Sequence, residues 1–314
     1  MSGSRPAPGA ARRPGSRPAS GPAPRPGARR GLGAGRAAAR RPAARAALNL
    51  AALAVIVVSV FPVYWMAVTA FTPTADIQSD TPSFWPSHPT LDHFATAVSS
   101  DGFGHFWRNS LLVTISAVLL SLAVALLAAF AVARLRWRGR RAFVLMVFIA
   151  QMAPWEALLI SMFVIARDTG MLDKLSMLTL LYFMATLPFT IVTLRGFLAA
   201  IPPELEEAAM MDGASRAVAF RRVVLPLLAP GLMSTSLFGF ITAWNEFAFA
   251  NALIIKNQDD RTLPVWLSSF GNVFGTDWGA TMAAAALFML PVLLIFLALQ
   301  RKVTTGALAG AVKG

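Results

Sequence analysis

Long apolar stretches separated by short charged links dominate the chain from residue 46 onward. Each stretch reaches or exceeds the ~20 residues that an α-helix needs to cross a ~30 Å hydrocarbon core. Backbone amides in lipid must be hydrogen-bonded within their own segment, so helices are expected; the ~10-residue alternating strands of a membrane barrel are not visible. The pattern predicts an all-α integral membrane protein with six transmembrane helices, over 46–75, 109–133, 142–166, 175–194, 223–255 and 278–300.

Basic residues are distributed unevenly over the links between these intervals. The amino-terminal tail holds eleven arginines, the second link five, the fourth link four, and the carboxyl-terminal tail three basic residues. The first, third and fifth links hold only one, two and two. Because cytoplasmic links of membrane proteins are enriched in Lys and Arg, both termini are predicted to be cytoplasmic.

The composition fits a membrane protein and excludes several other classes. The 314 residues are 56% hydrophobic and 14% charged, whereas an ordinary soluble domain is about a quarter charged. The net charge of +13 includes the eleven arginines between Arg5 and Arg45, so the remainder carries only 13 − 11 = +2. Nucleic-acid binding by the folded part is therefore not expected. The absence of cysteine excludes disulfides, cysteine-based metal sites and thiol catalysis.

The amino-terminal tail differs from the rest of the chain. Residues 1–45 consist almost wholly of Ala, Arg, Gly, Pro and Ser. Such a segment buries too little apolar surface to offset the entropy of ordering, so disorder is predicted. Its basic charge is expected to hold the amino terminus in the cytoplasm and to contact anionic membrane lipid. The predicted organisation is this tail followed by one membrane domain over residues 46–314.

The link over residues 195–224 carries the clearest local signals. Pro202 and Pro203 suit the first turn of a helix, where a missing amide is tolerated. Acidic residues follow near the positive end of the helix dipole, and Gly213 is placed to end the helix in a left-handed conformation. Ser215 is expected to cap a second helix. The prediction is a short helix-turn-helix across the cytoplasmic mouth, although an amphipathic interfacial link would look similar.

The spacing within this link resembles the EAA loop of ABC importer permeases. Glu207-Ala208-Ala209 is followed after three residues by Gly213, and after nine more by Val223, one residue and Leu225-Pro226. Asp212 and Ala214 extend the match. Further segments resemble the second permease subunit of maltose-type sugar importers, from about residue 61 to the end: Asn109-Ser110-Leu111, Ala129 to Arg134, Trp137-Arg138-Gly139, Trp244 to Phe247, Thr262-Leu263-Pro264, Trp278-Gly279 and Gly310 to Gly314. The segment Thr305 to Gly310 departs from the family pattern in detail.

The resemblance implies a function as a permease subunit of an ATP-driven carbohydrate importer in the bacterial plasma membrane. The chain has no phosphate-binding Gly-x-x-x-x-Gly-Lys-Ser/Thr motif. By the resemblance it is not an enzyme and carries no cofactor; ATP and Mg belong to the partner ATPase. The implied partners are a second permease, an ATPase dimer and an extracytoplasmic sugar-binding protein. The implied coupling residues, on the helix that would dock in a cleft of the ATPase, are Glu207, Ala208, Ala209, Asp212, Gly213 and Ala214.

Two acidic residues lie inside the predicted spans. Intramembrane carboxylates are costly and usually face a bundle interior or a water-filled cavity. Neighbouring aromatic and amide groups would suit sugars, whose ring faces are apolar and whose edges carry hydroxyls. The alternative for Glu246 is a structural or gating role. The resemblance also leaves open that the partner permease holds most of the sugar and that this chain lines the pathway with few contacts. The residues predicted to line the translocation pathway are Gln151, Trp155, Glu156, Trp244, Asn245 and Glu246.

Other readings of the chain have less support. A secondary transporter would need inverted repeats and has no use for an EAA loop. A membrane enzyme using Glu156 and Glu246 as an acid/base pair lacks a histidine or metal signature beside them. The three histidines, all within residues 76–108, match no ligand spacing and are predicted to be solvated, with no metal site. Pro154, Pro188 and Pro291 are predicted to form tolerated kinks. No residue identifies the sugar.

Overall fold

The computed structural model describes residues 34–81, 83–272 and 275–311, and this part of the chain is helical apart from one small hairpin. The chain divides into two compact units, residues 1–60 and 61–314. The helices are α1 Ala34–Phe71, α2 Thr74–Ile77, α3 Asp92–Ser99, α4 Phe103–Arg134, α5 Arg140–Met152, α6 Leu159–Asp168, α7 Leu175–Ala200, α8 Glu204–Met211, α9 Arg216–Ala219, α10 Leu225–Leu227, α11 Ala229–Trp244, α12 Ala248–Leu253, α13 Leu263–Ser268 and α14 Trp278–Ala311.

Three short irregular helical segments and one hairpin complete the described structure. Residues Trp155–Leu158 and Gln258–Asp260 form 3₁₀ turns, and Phe220–Val224 form a π-helical turn. Strand β1, Gly271–Asn272, pairs antiparallel with β2, Gly275–Thr276, so that Gly271 faces Thr276.

The predicted all-α membrane fold is confirmed, but not as six straight helices. Within the residues that the structure describes, four helices are long and apolar enough to span a membrane: Arg45–Phe71, Phe103–Arg134, Leu175–Ala200 and Trp278–Leu299. The other two predicted spans are bent pairs, so six spans result if each pair counts as one. Arg140–Met152 and Trp155–Asp168 meet at 88°, and Arg216–Leu227 and Ala229–Trp244 meet at 68°.

Proline explains where these bends occur. Pro154 stands between α5 and the 3₁₀ turn, and Pro226 and Pro230 flank the second bend. Proline lacks a backbone N–H and its ring clashes with the preceding turn. The predicted kink at Pro154 is therefore a full change of direction, whereas Pro188 and Pro291 remain inside the continuous helices α7 and α14.

The first helix begins earlier than expected. Residues 34–45, for which disorder was predicted, belong to α1. Alanine and arginine, which fill this stretch, are among the strongest helix formers, so the span extends upstream. Residues 1–33 of the predicted tail lie outside the described residues.

The centre of the second unit is the pair α4–α7. On α4, the small residues Ala117, Ser121, Ala125 and Ala129 recur every fourth position and are buried. Small side chains allow two helix backbones to approach closely in a membrane. Ser121 Oγ donates a hydrogen bond to Thr190 Oγ1 of α7 over 3.4 Å. This pair adjoins the link over residues 195–224, which continues directly from α7 in the chain.

One predicted solvated histidine is instead part of the packing. His93 is 5% exposed, and its Nε2 lies 2.9 Å from the carbonyl oxygen of Thr72. Its ring fills the space where Gly279 lacks a side chain: a Cβ there would come within 2.1 Å of His93 Cε1. The short helix α3 buries His93 together with Ala97, one turn later, on the same face. His88 and His105 are exposed, as predicted.

Candidate functional site

The predicted cytoplasmic helix-turn-helix is present and is specified by local contacts. Helix α8 follows Pro203 and ends in a left-handed glycine, Gly213, with φ +89°. The Gly213 amide donates to the Met210 carbonyl over 3.0 Å, and the Ala214 amide donates to Ala209 over 3.1 Å. This pair of bonds is the Schellman arrangement, which satisfies the last carbonyls of a helix. The expectation for Gly213 is confirmed.

The second arm of the loop also forms as expected. Ser215 Oγ accepts a hydrogen bond from the Val218 amide over 3.4 Å and so caps α9. The chain then passes through the π-helical turn into α10 and α11. In this way the loop is joined directly to the first half of a bent membrane helix.

A buried ion pair holds the loop against the end of α4. Arg134 Nε lies 2.5 Å from Glu206 Oε1, and Arg134 Nη2 donates to the Ile201 carbonyl over 2.8 Å. The two side chains are 12% and 10% exposed. Sequence reasoning placed Arg134 only among the cytoplasmic charges and Glu206 only near the helix dipole. Because the two residues are 72 positions apart in the sequence, no local sequence pattern indicates that they form a contact.

The opposite face of α8 is uncovered. Of the residues predicted to couple to an ATPase, Glu207, Ala208, Asp212 and Gly213 are exposed, whereas Ala209 and Ala214 are half-buried. Two large apolar side chains on the same helix, Leu205 and Met211, are 43% and 87% exposed. Around Gly213, no heavy atom comes within 4 Å of a Cβ built there. The loop therefore presents a small, partly apolar surface on a rigid base.

A cavity of about 760 Å³ lies where both bent pairs meet α7. This volume falls within the ~300–1,000 Å³ of small-molecule sites. Five of the six residues predicted to line the pathway contribute to its wall: Gln151, Trp155, Glu156, Asn245 and Glu246. The wall also includes residues that sequence reasoning did not select, among them Tyr182, Thr186, Phe189, Thr242 and Phe247.

The two intramembrane carboxylates have different environments. Glu246 Oε1 accepts the Phe249 amide over 2.8 Å, and Oε2 accepts the Ala250 amide over 3.2 Å and the Tyr182 hydroxyl over 2.6 Å. Glu246 thus satisfies the first amides of α12 and ties this helix to α7. This geometry favours the structural alternative for Glu246.

Glu156 is exposed to the cavity. It lies on the 3₁₀ turn that follows Pro154, at the apex of the 88° bend. Gln151, at the end of α5, is likewise exposed, and Asn245 keeps its carbonyl oxygen available while its Nδ2 donates to Ile241 over 2.7 Å. Trp155 is half-buried, with its ring 5.1 Å from that of Phe249. Together these groups offer a carboxylate, two amides and an aromatic face.

Trp244, the sixth residue predicted to line the pathway, does not contribute to the wall of this cavity. It is 1% exposed and stacks between Phe240 and Phe288, with ring centroids 5.4 and 5.7 Å away. Its Nε1 donates to the Phe288 carbonyl over 3.1 Å. Successive residues of a helix point about 100° apart, so Trp244 faces α14 while its two successors face the cavity.

The Tyr182 contact was missed because α7 is apolar on all sides. Nothing in that run distinguishes the face that meets the cavity, although Tyr182 is one of only two tyrosines in the chain.

In the described ranges no group of three His, Cys, Asp or Glu residues is placed to hold a metal ion.

Comparisons with known proteins agree with this architecture. Residues 121–306 match the family described as Binding-protein-dependent transport system inner membrane component. The diacetylchitobiose uptake system permease protein DasC of Streptomyces coelicolor is 56% identical over 266 residues, covering 85% of this chain and 96% of that one. The trehalose/maltose transport system permease protein MalG of Thermococcus litoralis is 32% identical over 278 residues, covering 86% and 97%.

A solved structure shares the fold. A chain from a bacterial ABC transporter involved in the import of the acidic polysaccharide alginate superposes with a TM-score of 0.71 at 22% identity, covering 83% of this chain and 97% of that one. The sequence matches and the shared fold show that the chain belongs to the family of inner-membrane components of binding-protein-dependent transport systems, as a multi-pass, non-enzymatic permease subunit of a carbohydrate ABC importer.

Proposed function

We propose that this chain forms half of the translocation pathway of an importer for an acetylated amino-sugar disaccharide, and that α8 couples it to an ATPase. In this proposal a second permease forms the other half, two ATPase copies bind ATP and Mg, and an extracytoplasmic binding protein delivers the sugar. Both termini face the cytoplasm. The observation that carries the proposal is the exposed α8–Gly213 loop, seated on α4 by a buried ion pair.

Coupling through α8 follows from its shape and support. A helix of eight residues with small side chains at Ala208 and Ala209 fits into a groove of another protein, and Leu205 and Met211 supply apolar area there. The Arg134–Glu206 pair would transmit a pull on α8 to α4, and the π-helical turn would transmit it to α11. Alternating access needs a two-state element of this kind.

The sugar pathway is assigned to the central cavity. Glu156, Gln151 and Asn245 offer hydrogen-bonding groups to sugar hydroxyls or amides, and Trp155 offers an apolar face. Glu246 acts here by holding α12 in position rather than by contacting sugar. The disaccharide class rests on the 56% identity to a diacetylchitobiose permease, which exceeds the 32% identity to the trehalose/maltose protein.

The test uses the assembled transporter in proteoliposomes. Ala208→Trp should prevent the ATPase from co-purifying with the permease and abolish uptake of acetylated disaccharide, because an indole cannot enter a groove shaped for a methyl group. Ala95→Trp, at an exposed alanine of α3, is the matched control and should leave ATPase association unchanged. Normal ATPase recruitment and uptake in Ala208→Trp would refute the coupling assignment. Uptake driven by an ion gradient without ATP would instead favour a secondary transporter.

A further inference from the structure

Two neighbouring cavities at the start of α5 are lined by arginines. One, of about 410 Å³, is lined by Arg140, Arg141, Val144 and Arg195, which come from α5 and α7. The other, of about 530 Å³, is lined by Arg136, Trp137, Gly139, Arg140, Arg141 and Ala142. Arg140 and Arg141 belong to both walls. Four arginines therefore line two adjoining spaces.

No acidic residue lines these cavities: neither wall has an Asp or Glu among the described residues. The arginine that precedes this group, Arg134, already pairs with Glu206 and Ile201. Close cations repel one another, and guanidinium groups match the oxygens of a phosphate in bidentate fashion. The arrangement gains stability when an anion occupies it.

The beginning of α5 adds to this positive potential. Its N-cap, Gly139, has φ +92° and no side-chain cap, so the first amides of this 13-residue helix face outward. The positive end of a helix dipole disfavours cations, yet Arg140 and Arg141 occupy the first turn, where acidic residues are usual. The unfavourable position of two arginines at the positive end of α5, together with the other arginines that line the cavities, supports a phosphate-binding role.

The cavities lie at a membrane boundary. The next turns of α5 expose Leu145, Met146 and Ile149 at 61%, 59% and 59%, as expected for a lipid-facing helix. Trp137, 41% exposed, is a residue type that concentrates at the level of lipid headgroups. A phosphate bound here would be in reach of acyl chains lying along the apolar face of α5.

We propose that these two cavities bind the two phosphates of an anionic diphosphate lipid such as a cardiolipin. Two subsites that share Arg140 and Arg141 fit two phosphates joined by a short glycerol bridge better than a single phosphate. Basic pockets between transmembrane helices are a recurring site for such headgroups. Inorganic phosphate presents the same oxygen atoms but lacks acyl chains, so the two sources are separable by experiment.

The test compares lipid retention by the intact transporter complex in native mass spectrometry. The wild-type complex should retain cardiolipin in preference to phosphatidylglycerol and phosphatidylcholine. Removing one arginine should weaken retention by roughly fivefold, and removing two by roughly twenty-five-fold. The informative variants are Arg195→Gln alone and the pair Arg140→Gln with Arg141→Gln. Arg138→Gln is the matched control, since Arg138 is exposed in the same link and lines neither cavity.

Each contrary outcome has a definite meaning. Equal loss of cardiolipin in Arg138→Gln and Arg195→Gln would reduce the site to general surface charge and overturn the proposal. Equal retention of phosphatidylglycerol would overturn the two-phosphate assignment, and equal thermal protection by inorganic phosphate would overturn the lipid. If the double variant fails to fold, Arg195→Gln and Arg195→Lys still decide, because lysine restores the charge and should restore part of the retention. None of these results bears on ATPase coupling.

Discussion

Breaking the Arg134–Glu206 pair should loosen the α8–α9 loop without disturbing the membrane core. Glu206→Leu leaves the Arg134 guanidinium about nine-tenths buried with only the Ile201 carbonyl as partner. Removing one partner of a buried pair typically costs about 3–5 kcal/mol. Because a tenth of each side chain remains accessible and one hydrogen bond survives, we expect about 3 kcal/mol, which corresponds to roughly a hundredfold change in an opening equilibrium.

Amide hydrogen exchange on the intact transporter measures this change. Exchange of residues 204–213 should accelerate by about two orders of magnitude in Glu206→Leu, because the loop opens more often when its anchor is lost. Exchange at the buried positions of α4 and α7 should stay at the wild-type rate. Glu207→Leu provides a control on the same helix: Glu207 is exposed, and an exposed charge contributes at most about 1 kcal/mol.

The double variant Arg134→Met with Glu206→Leu separates the ion pair from simple loss of packing. When both charges are replaced by apolar groups of similar size, no unpaired charge is left buried, and stability is often retained. Exchange in the loop should therefore return close to the wild-type rate. If the double variant is as labile as the sum of the two single ones, the pair does not hold the loop and the reasoning fails.

Three further predictions concern other anchors of the two sites. Glu246→Gln should weaken the α12–α7 contact and lower the thermal stability of the complex more than Glu156→Gln does. Glu156→Gln should mainly reduce uptake. A larger loss of stability in Glu156→Gln, with a larger loss of uptake in Glu246→Gln, would contradict the roles given to the two residues. Gly213→Ala should destabilise the loop by about 1–2 kcal/mol through its φ of +89° alone, whereas Gly213→Asn, which tolerates that conformation better, should lose less; equal losses in exchange experiments would argue against a conformational origin. Slight desolvation raises the pKa of Asp173, but hydrogen bonds from the amides of Lys256 and Ile255 outweigh this effect and hold the pKa below 3.8. The carboxylate therefore stabilises the folded state fully above pH 3.8, and this stabilisation is lost as the pH falls through the lower pKa of the folded state. Thermal melting of Asp173→Asn should lack this acid-dependent component.

The helix-turn-helix of the α8–α9 loop was predictable because its determinants are local. The left-handed turn at Gly213 and the cap at Ser215 depend on residues within five positions, and both appear in the spacing of the sequence. The membrane spans were predictable for a similar reason. Each helix in lipid satisfies its own backbone hydrogen bonds, so it appears in the sequence as a long interval with few charged residues. The upstream extension of α1 was missed because disorder was predicted from the small apolar surface of this segment. Ala and Arg have high intrinsic helix propensity, which does not depend on burying such surface.

The orientation of side chains within the spans was not predictable in the same way. Helices α7 and α11 are apolar around most of their circumference, so no hydrophobic periodicity distinguishes the face that meets the cavity from the one that meets the core. Trp244 and Asn245 are adjacent in sequence and differ completely in burial for this reason. His93 and the Arg134–Glu206 pair depend on contacts between distant segments, which a single sequence does not reveal.

Two interruptions of helices, at Pro154 and at Asn245–Phe247, have a common physical origin with the acidic residues beside them. Interrupting a helix in the membrane frees amides and carbonyls that lipid cannot satisfy, so a break is tolerated only against protein or a water-filled cavity. Ala153 and Trp155, on either side of Pro154, line the 760 Å³ cavity, and so do Asn245, Glu246 and Phe247 between α11 and α12. At the Asn245–Phe247 interruption, Glu246 supplies acceptors for the first amides of α12 and also accepts a hydrogen bond from the Tyr182 hydroxyl. At the Pro154 interruption, Glu156 is exposed to the cavity, so in the proposed pathway it is the carboxylate available to an incoming substrate.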